Sequence, residues 1–178
     1  MKAGGNIFEL VIRREKPAHG SERSAHWVEE IQVDSVPLTP RHCLDYIALV
    51  KSMCLDGEFY FFTCGCGEPG CSHIHSGVHI RHEQGRIHWH STEPGPERNF
   101  VFAAGQYRRS IIEALRYVSK TFTRGNTFPI GTMDFTYVRF RRTLAAAELA
   151  CQLDDPGSAH GKIFNQFLAS MEGIWRKD

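Results

Sequence analysis

The stretch Val78-His79-Ile80-Arg81-His82-Glu83-Gln84-Gly85-Arg86-Ile87-His88-Trp89-His90-Ser91 decides the fold class. Apolar and polar residues alternate on both sides of Gln84-Gly85. A two-residue turn there pairs Glu83 with Arg86, His82 with Ile87, Arg81 with His88, Ile80 with Trp89 and His79 with His90. Successive strand residues face opposite ways, so Val78, Ile80, Ile87 and Trp89 turn to a core with His82 beside them. His79, Arg81, Glu83, Arg86, His88 and His90 share the other face, and antiparallel sheets commonly leave one side wet.

Working outward, the same period marks Asn6 to Arg14, where Phe8, Leu10 and Ile12 fall on one side, and His26 to Val33, with Trp27, Ile31 and Val33. These two are expected to pair antiparallel across the polar loop Pro17 to Ser24. The aromatic run Glu58 to Thr63 reads as a central strand, and Asn99 to Ala103 as a further strand. Thr39-Pro40 resembles a capped helix start leading into Cys43, Leu44, Ile47, Val50 and Cys54 at helical spacing. Tyr107, Ile111, Ala114, Leu115, Val118 and Phe122 form an apolar helical stripe with Arg108, Arg109, Arg116 and Lys120 mostly off it. Thr123 to Thr132 is a connection, Asp134 to Arg142 is expected to be a strand, and Leu144 to Leu153 a helix. After the break at Asp155-Pro156-Gly157, a last helix places Ile163, Phe164, Phe167, Leu168, Met171 and Trp175 together. Strands and helices without a regular βαβ rhythm predict an α+β fold, mainly antiparallel and packed by the Tyr107 and Phe164 helices, as one domain over 1–178.

Size and composition narrow the classes. A chain of 178 residues with 42% hydrophobic and 23% charged residues is ordinary for a globular domain. It buries enough surface to fold without a metal or disulfide. Met1 to Asn6 has no charged segment followed by an apolar run, and no stretch of about 18 apolar residues occurs, so a cytoplasmic location without a membrane partner is expected. In a reducing compartment Cys43, Cys54 and Cys151 read as small core residues.

The remaining cysteines are concentrated. Three of the six cysteines and six of the ten histidines fall between Cys64 and His90. Cys64 and Cys66 project to one face of an extended segment. Gly65, Gly67, Pro69 and Gly70 let the chain turn so that Cys71 and His73 approach it. Cys64, Cys66, Cys71 and His73 are therefore a candidate zinc-ligand set, tighter than the usual pairs of zinc fingers. The alternative is a glycine turn whose cysteines pack as small apolar groups.

Two resemblances bear on this loop. Cys71-Ser72-His73-Ile74-His75 after Pro69-Gly70, with C-x-C upstream, resembles the cluster loop of CDGSH-type iron–sulfur proteins, which implies an iron–sulfur cluster held by three cysteines and one histidine. The short gap from Cys66 to Cys71, and Ser72 where that family has an acidic residue, depart from its pattern. More broadly, Phe62-Thr63-Cys64-Gly65-Cys66-Gly67-Glu68-Pro69-Gly70-Cys71, the Val78 to Trp89 hairpin, Phe100-Val101-Phe102 and Gln106-Tyr107-Arg108 resemble uncharacterised bacterial proteins with a C-x-C-G-x-x-G-C signature. That resemblance spans about half the chain and implies no activity.

Other groups suggest other chemistry. His79, His88 and His90 with Arg81 suit a second metal or an anionic ligand. Cys66 or Cys71 beside a histidine would suit nucleophilic catalysis, yet clustered cysteines in a glycine loop look like ligands, and no ordered nucleophile, base and oxyanion donor set stands out. Arg98 to Arg142 carries nine basic residues against Glu113 and Asp134 in a chain of net charge +1. Nucleic acid or an acidic protein partner is one use of such a segment, with Tyr137, Arg139 and Arg141 on one strand face as a platform for single strands. The reading favours a binding or interaction module over an enzyme.

Overall fold

The computed structural model describes residues 5–15, 26–38, 43–93, 95–121, 131 and 137–150. Among these, antiparallel sheets and helices enclose one continuous hydrophobic core, an α+β arrangement. The expected loop Pro17 to Ser24, the Thr39-Pro40 start and the Phe164 helix lie outside the described residues.

β1 (Phe8–Glu15) pairs antiparallel with β2 (His26–Val33), Phe8 opposite Val33 and Leu10 opposite Ile31. Phe8, Leu10, Ile12, Ile31 and Val33 are all buried, as the alternation requires. Asp34 and Ser35, both at positive φ, then turn the chain into β3 (Val36–Pro37), the backbone hand that matches strand twist in a tight hairpin.

β4 (Cys43–Leu44) corrects the sequence reading, which put both residues on a helix. α1 (Tyr46–Lys51) begins three residues later, where the Asp45 carboxylate accepts from the N–H groups of Ile47 at 2.8 Å and Ala48 at 3.0 Å. The true cap is thus Asp45. Asp45→Ala should cost about 1 kcal/mol, readable as a shift in the urea midpoint; no shift would show that tertiary packing alone holds this six-residue helix.

The aromatic run also departs from expectation. It divides into β5 (Gly57–Phe59) and β6 (Phe62–Thr63), which belong to different sheets. Phe61 and Phe62 are adjacent yet 1% and 3% exposed, which a strand with one wet face cannot provide. The chain therefore leaves one sheet and enters another. β6 pairs with β4, while β5 is an edge of the four-stranded sheet β5-β7-β8-β9.

In that sheet β7 (Val78–Glu83) and β8 (Arg86–Ser91) pair in the expected register, from His79 opposite His90 to Glu83 opposite Arg86. Gln84 and Gly85 at φ 49° and 74° make the two-residue turn. β9 (Arg98–Ala103) continues into α2 (Ala104–Thr121). Phe8, Phe61, Trp89, Phe102 and Tyr107 meet here, with Trp89 ring centroids 5.1 Å from Phe61 and 5.4 Å from Phe102.

α2 also completes the hydrogen bonding of an edge strand. Gln106 exchanges hydrogen bonds with the Phe8 backbone, and the Leu10 N–H donates to Ser110 Oγ at 2.9 Å. Those donors are thereby unavailable to a second strand. One arginine expected off the stripe is inside: Arg108 is buried and donates from Nε to the Met53 carbonyl at 2.9 Å.

α3 (Tyr137–Ala150) makes Tyr137 to Arg142 helical where a strand was expected over Asp134 to Arg142, the first three residues of which lie outside the described residues, and it takes in much of the helix expected from Leu144. Phe140, Leu144 and Ala147 are buried on a period near 3.6, and the strong helix formers from Leu144 to Ala150 carry the preceding turn with them. It packs against α1 and α2, and Arg116 meets Glu148 at 3.1 Å. Tyr137, Arg139 and Arg141 consequently do not share a strand face.

Glu29 ties β2 to this region. Its largely enclosed carboxylate accepts from Tyr46 Oη at 2.6 Å and from the N–H groups of Leu44 at 3.3 Å and Gly131 at 3.0 Å. Burial pushes its proton affinity up, and these three donors partly oppose that shift.

Candidate metal centre

The cysteine loop starts and ends on buried anchors. Thr63 is 1% exposed and pairs with Cys43, and Ile74 is 3% exposed. Between them the Gly67 N–H donates to the Cys64 carbonyl at 3.0 Å, closing a tight turn that Gly67 permits at φ +88°. A short 3-10 turn over Gly70–Ser72 follows, ending at His73 in the left-handed conformation, φ 57°. Outside the loop, Glu93 accepts from the N–H groups of His75 and Ser76, and Glu58 accepts from Gly77 at 2.7 Å. The Ser76 and His75 donors hold the Glu93 carboxyl below its usual range.

This backbone brings three thiols together. The sulfurs of Cys64, Cys66 and Cys71 all lie within 4.8 Å of one another, a cluster that can hold a metal ion. Cys66 Sγ to Cys71 Sγ is 3.9 Å. A disulfide spans about 2.05 Å, whereas two sulfurs on a tetrahedral zinc with bonds of about 2.3 Å stand about 3.8 Å apart. The observed separation excludes a disulfide and matches both a thiol–thiol hydrogen bond and the spacing of two sulfurs on one metal ion. His73 was the fourth expected ligand; it is exposed, and among the described residues the mutually close ligand atoms are these three sulfurs.

The electrostatics are those of acids crowded together. A hydrogen bond from the Cys66 thiol, with further help from backbone donors and Cys71, brings the Cys64 thiol down to about 7. Hydrogen bonding of the protonated Cys71 thiol with Cys66 and Cys64, and after it the negative charge on those two sulfurs, pushes Cys71 up to about 11. In metal-free protein, alkylation of Cys64 should rise with pH through about 7 and that of Cys71 only toward about 11, read by mass spectrometry of the labelled peptides. A shared midpoint for the two would contradict this arrangement.

Cys43 is the residue that sequence reasoning misplaced. As part of β4 it lies against the loop, half-buried, its Sγ 3.9 Å from where a Cβ on Gly65 would stand. Burial raises its thiol, and the charges of Glu29, Cys64 and Cys66 raise it further. No local pattern pointed there, because the contact depends on β4 pairing with β6.

The histidine row sits on the outer face of the four-stranded sheet, as expected. His79, Arg81, His88, His90, Asn99 and Val101 help line an open recess of about 290 Å³. The rings of His79 and His90 stack at 6.1 Å, His90 Nδ1 lies 3.0 Å from Asn99 Oδ1, and Arg81 pairs with Glu83 at 2.9 Å. His88 and His90 each have a carboxylate at 3.9 Å, from Glu83 and Glu97. Acidic neighbours therefore offset the basic character of the recess. His82 is turned inward and held by Asp56 at 2.7 Å.

Among the described residues, no helix is long and apolar enough to cross a membrane. No family model, curated protein or solved structure matches the chain.

Proposed function

We propose that the chain is a binding or interaction module whose cysteine loop is a structural zinc site, with Cys64, Cys66 and Cys71 as thiolate ligands. The observation that carries this is the 3.9 Å separation of Cys66 and Cys71 within a group of three sulfurs closer than 4.8 Å. Thiolates suit zinc, and zinc favours four ligands in structural sites. Bound metal would stabilise the loop by neutralising sulfurs that otherwise resist ionising side by side. Cys66 and Cys71 are exposed, so the loop is a surface feature, and a metal there would hold its shape for a partner rather than build the core. A reducing compartment would keep the three thiols available.

Elemental analysis of protein purified without a histidine tag tests the reading. About one zinc per chain is expected. Visible colour with iron and sulfide would favour a cluster instead, and absence of metal after incubation with zinc under reducing conditions would leave the glycine turn as the account of the loop.

A further inference from the structure

We propose that Cys43 is the fourth ligand of this centre, making it a four-thiolate zinc site that locks β4 onto the cysteine loop; this rests on reading Cys64, Cys66 and Cys71 as a zinc site. Three sulfurs define one face of a tetrahedron, and a closed site takes one more ligand from nearby. Cys43 is already held at the loop. Its backbone pairs with Thr63, the residue before Cys64, and Thr63 Oγ1 donates to the Cys43 carbonyl at 3.4 Å. Its sulfur stands 3.9 Å from the Cβ position of Gly65, the residue between two of the other ligands. The thiol is in no disulfide and is half-buried, and because its sulfur lies outside the group of three close sulfurs, binding would draw the surface loop onto it.

His73 is the competing ligand. The Cys43 sulfur and the His73 ring both lie outside the group of three close sulfurs, but His73 follows the 3-10 turn in an exposed position whereas Cys43 is half-buried against the loop. A closed site with Cys43 would join the loop to a strand twenty-one residues before Cys64 and through it to the sheet edge, whereas a site with His73 would staple the loop only to itself. The first arrangement couples metal occupancy to the β4-β6 pair. It also leaves no coordination position for water, so the site would be structural rather than hydrolytic.

Cobalt(II) substituted for zinc reports thiolate number through its sulfur-to-metal charge-transfer intensity. The wild-type spectrum should be that of four thiolates. Cys43→Ser should reduce the intensity by about a quarter and weaken zinc binding roughly a hundredfold or more, taking the total affinity of a structural zinc site as shared among four ligands. His73→Ala should change neither. In the unmodified chain, zinc should protect Cys43 together with Cys64, Cys66 and Cys71 from iodoacetamide, and a chelator should restore labelling. That second readout stands even where Cys43→Ser folds poorly. A three-thiolate spectrum lost in His73→Ala, or Cys43 labelled equally with and without zinc, would overturn the assignment while leaving the zinc site intact. Failure of the wild type to bind either metal would instead remove the zinc reading itself.

Discussion

Trp89→Ala should lower the free energy of unfolding by about 3–5 kcal/mol. Trp89 is 2% exposed and its ring meets those of Phe8, Phe61, Phe102 and Tyr107. Those partners come from β1, the crossing between β5 and β6, β9 and α2. Removing the indole therefore leaves a void where several elements converge, and a packed interior only partly collapses to fill it. Against a total stability of about 5–15 kcal/mol for a typical domain, the variant would stand near its unfolding threshold. Urea unfolding followed by circular dichroism measures the effect; a loss below about 1 kcal/mol would mean that the aromatic cluster is not the structural centre.

The second large effect concerns metal rather than fold. Cys66→Ser should lower zinc affinity by roughly a hundredfold or more, because it removes one of the thiolates that share the binding energy. The core should nevertheless remain folded. Its buried residues run through β1, β2, the hairpin and α2, and a chain of this size holds a core without a metal, unlike a zinc finger that folds only on binding. Metal content by elemental analysis and circular dichroism on the same sample separate the two effects. Full metal retention would show that Cys66 is not a ligand. Global unfolding on loss of metal would show that the site supports the whole domain.

The basic segment looks different once folded. Arg108 is enclosed against the end of α1, Arg116 is engaged by Glu148, and Tyr137 to Arg142 is helical. Fewer of its charges stand on one surface than their spacing in the chain implied, because a sequence count does not register which cations are buried or paired.

Local physics was legible from the residues alone. The β7-β8 register followed from period-two alternation around a two-residue turn, both contained within fourteen residues, and the close approach of Cys64, Cys66 and Cys71 followed from glycine-rich spacing within eight. The period of α2 was likewise readable from its apolar stripe. Tertiary structure decided what depended on distant partners. Phe61 and Phe62 are both buried because two different sheets receive them, and no periodicity in an all-aromatic run can announce such a crossing. Tyr137 to Arg142 is helical in an element that packs against α1 and α2, with Phe140 buried together with the alanines that follow. Cys43 reached the cysteine loop through strand pairing with Thr63, twenty residues on. Alternation, turn residues and ligand spacing act within a few residues of one another, whereas the partner of a short buried strand is set by which long-range pairing closes the core.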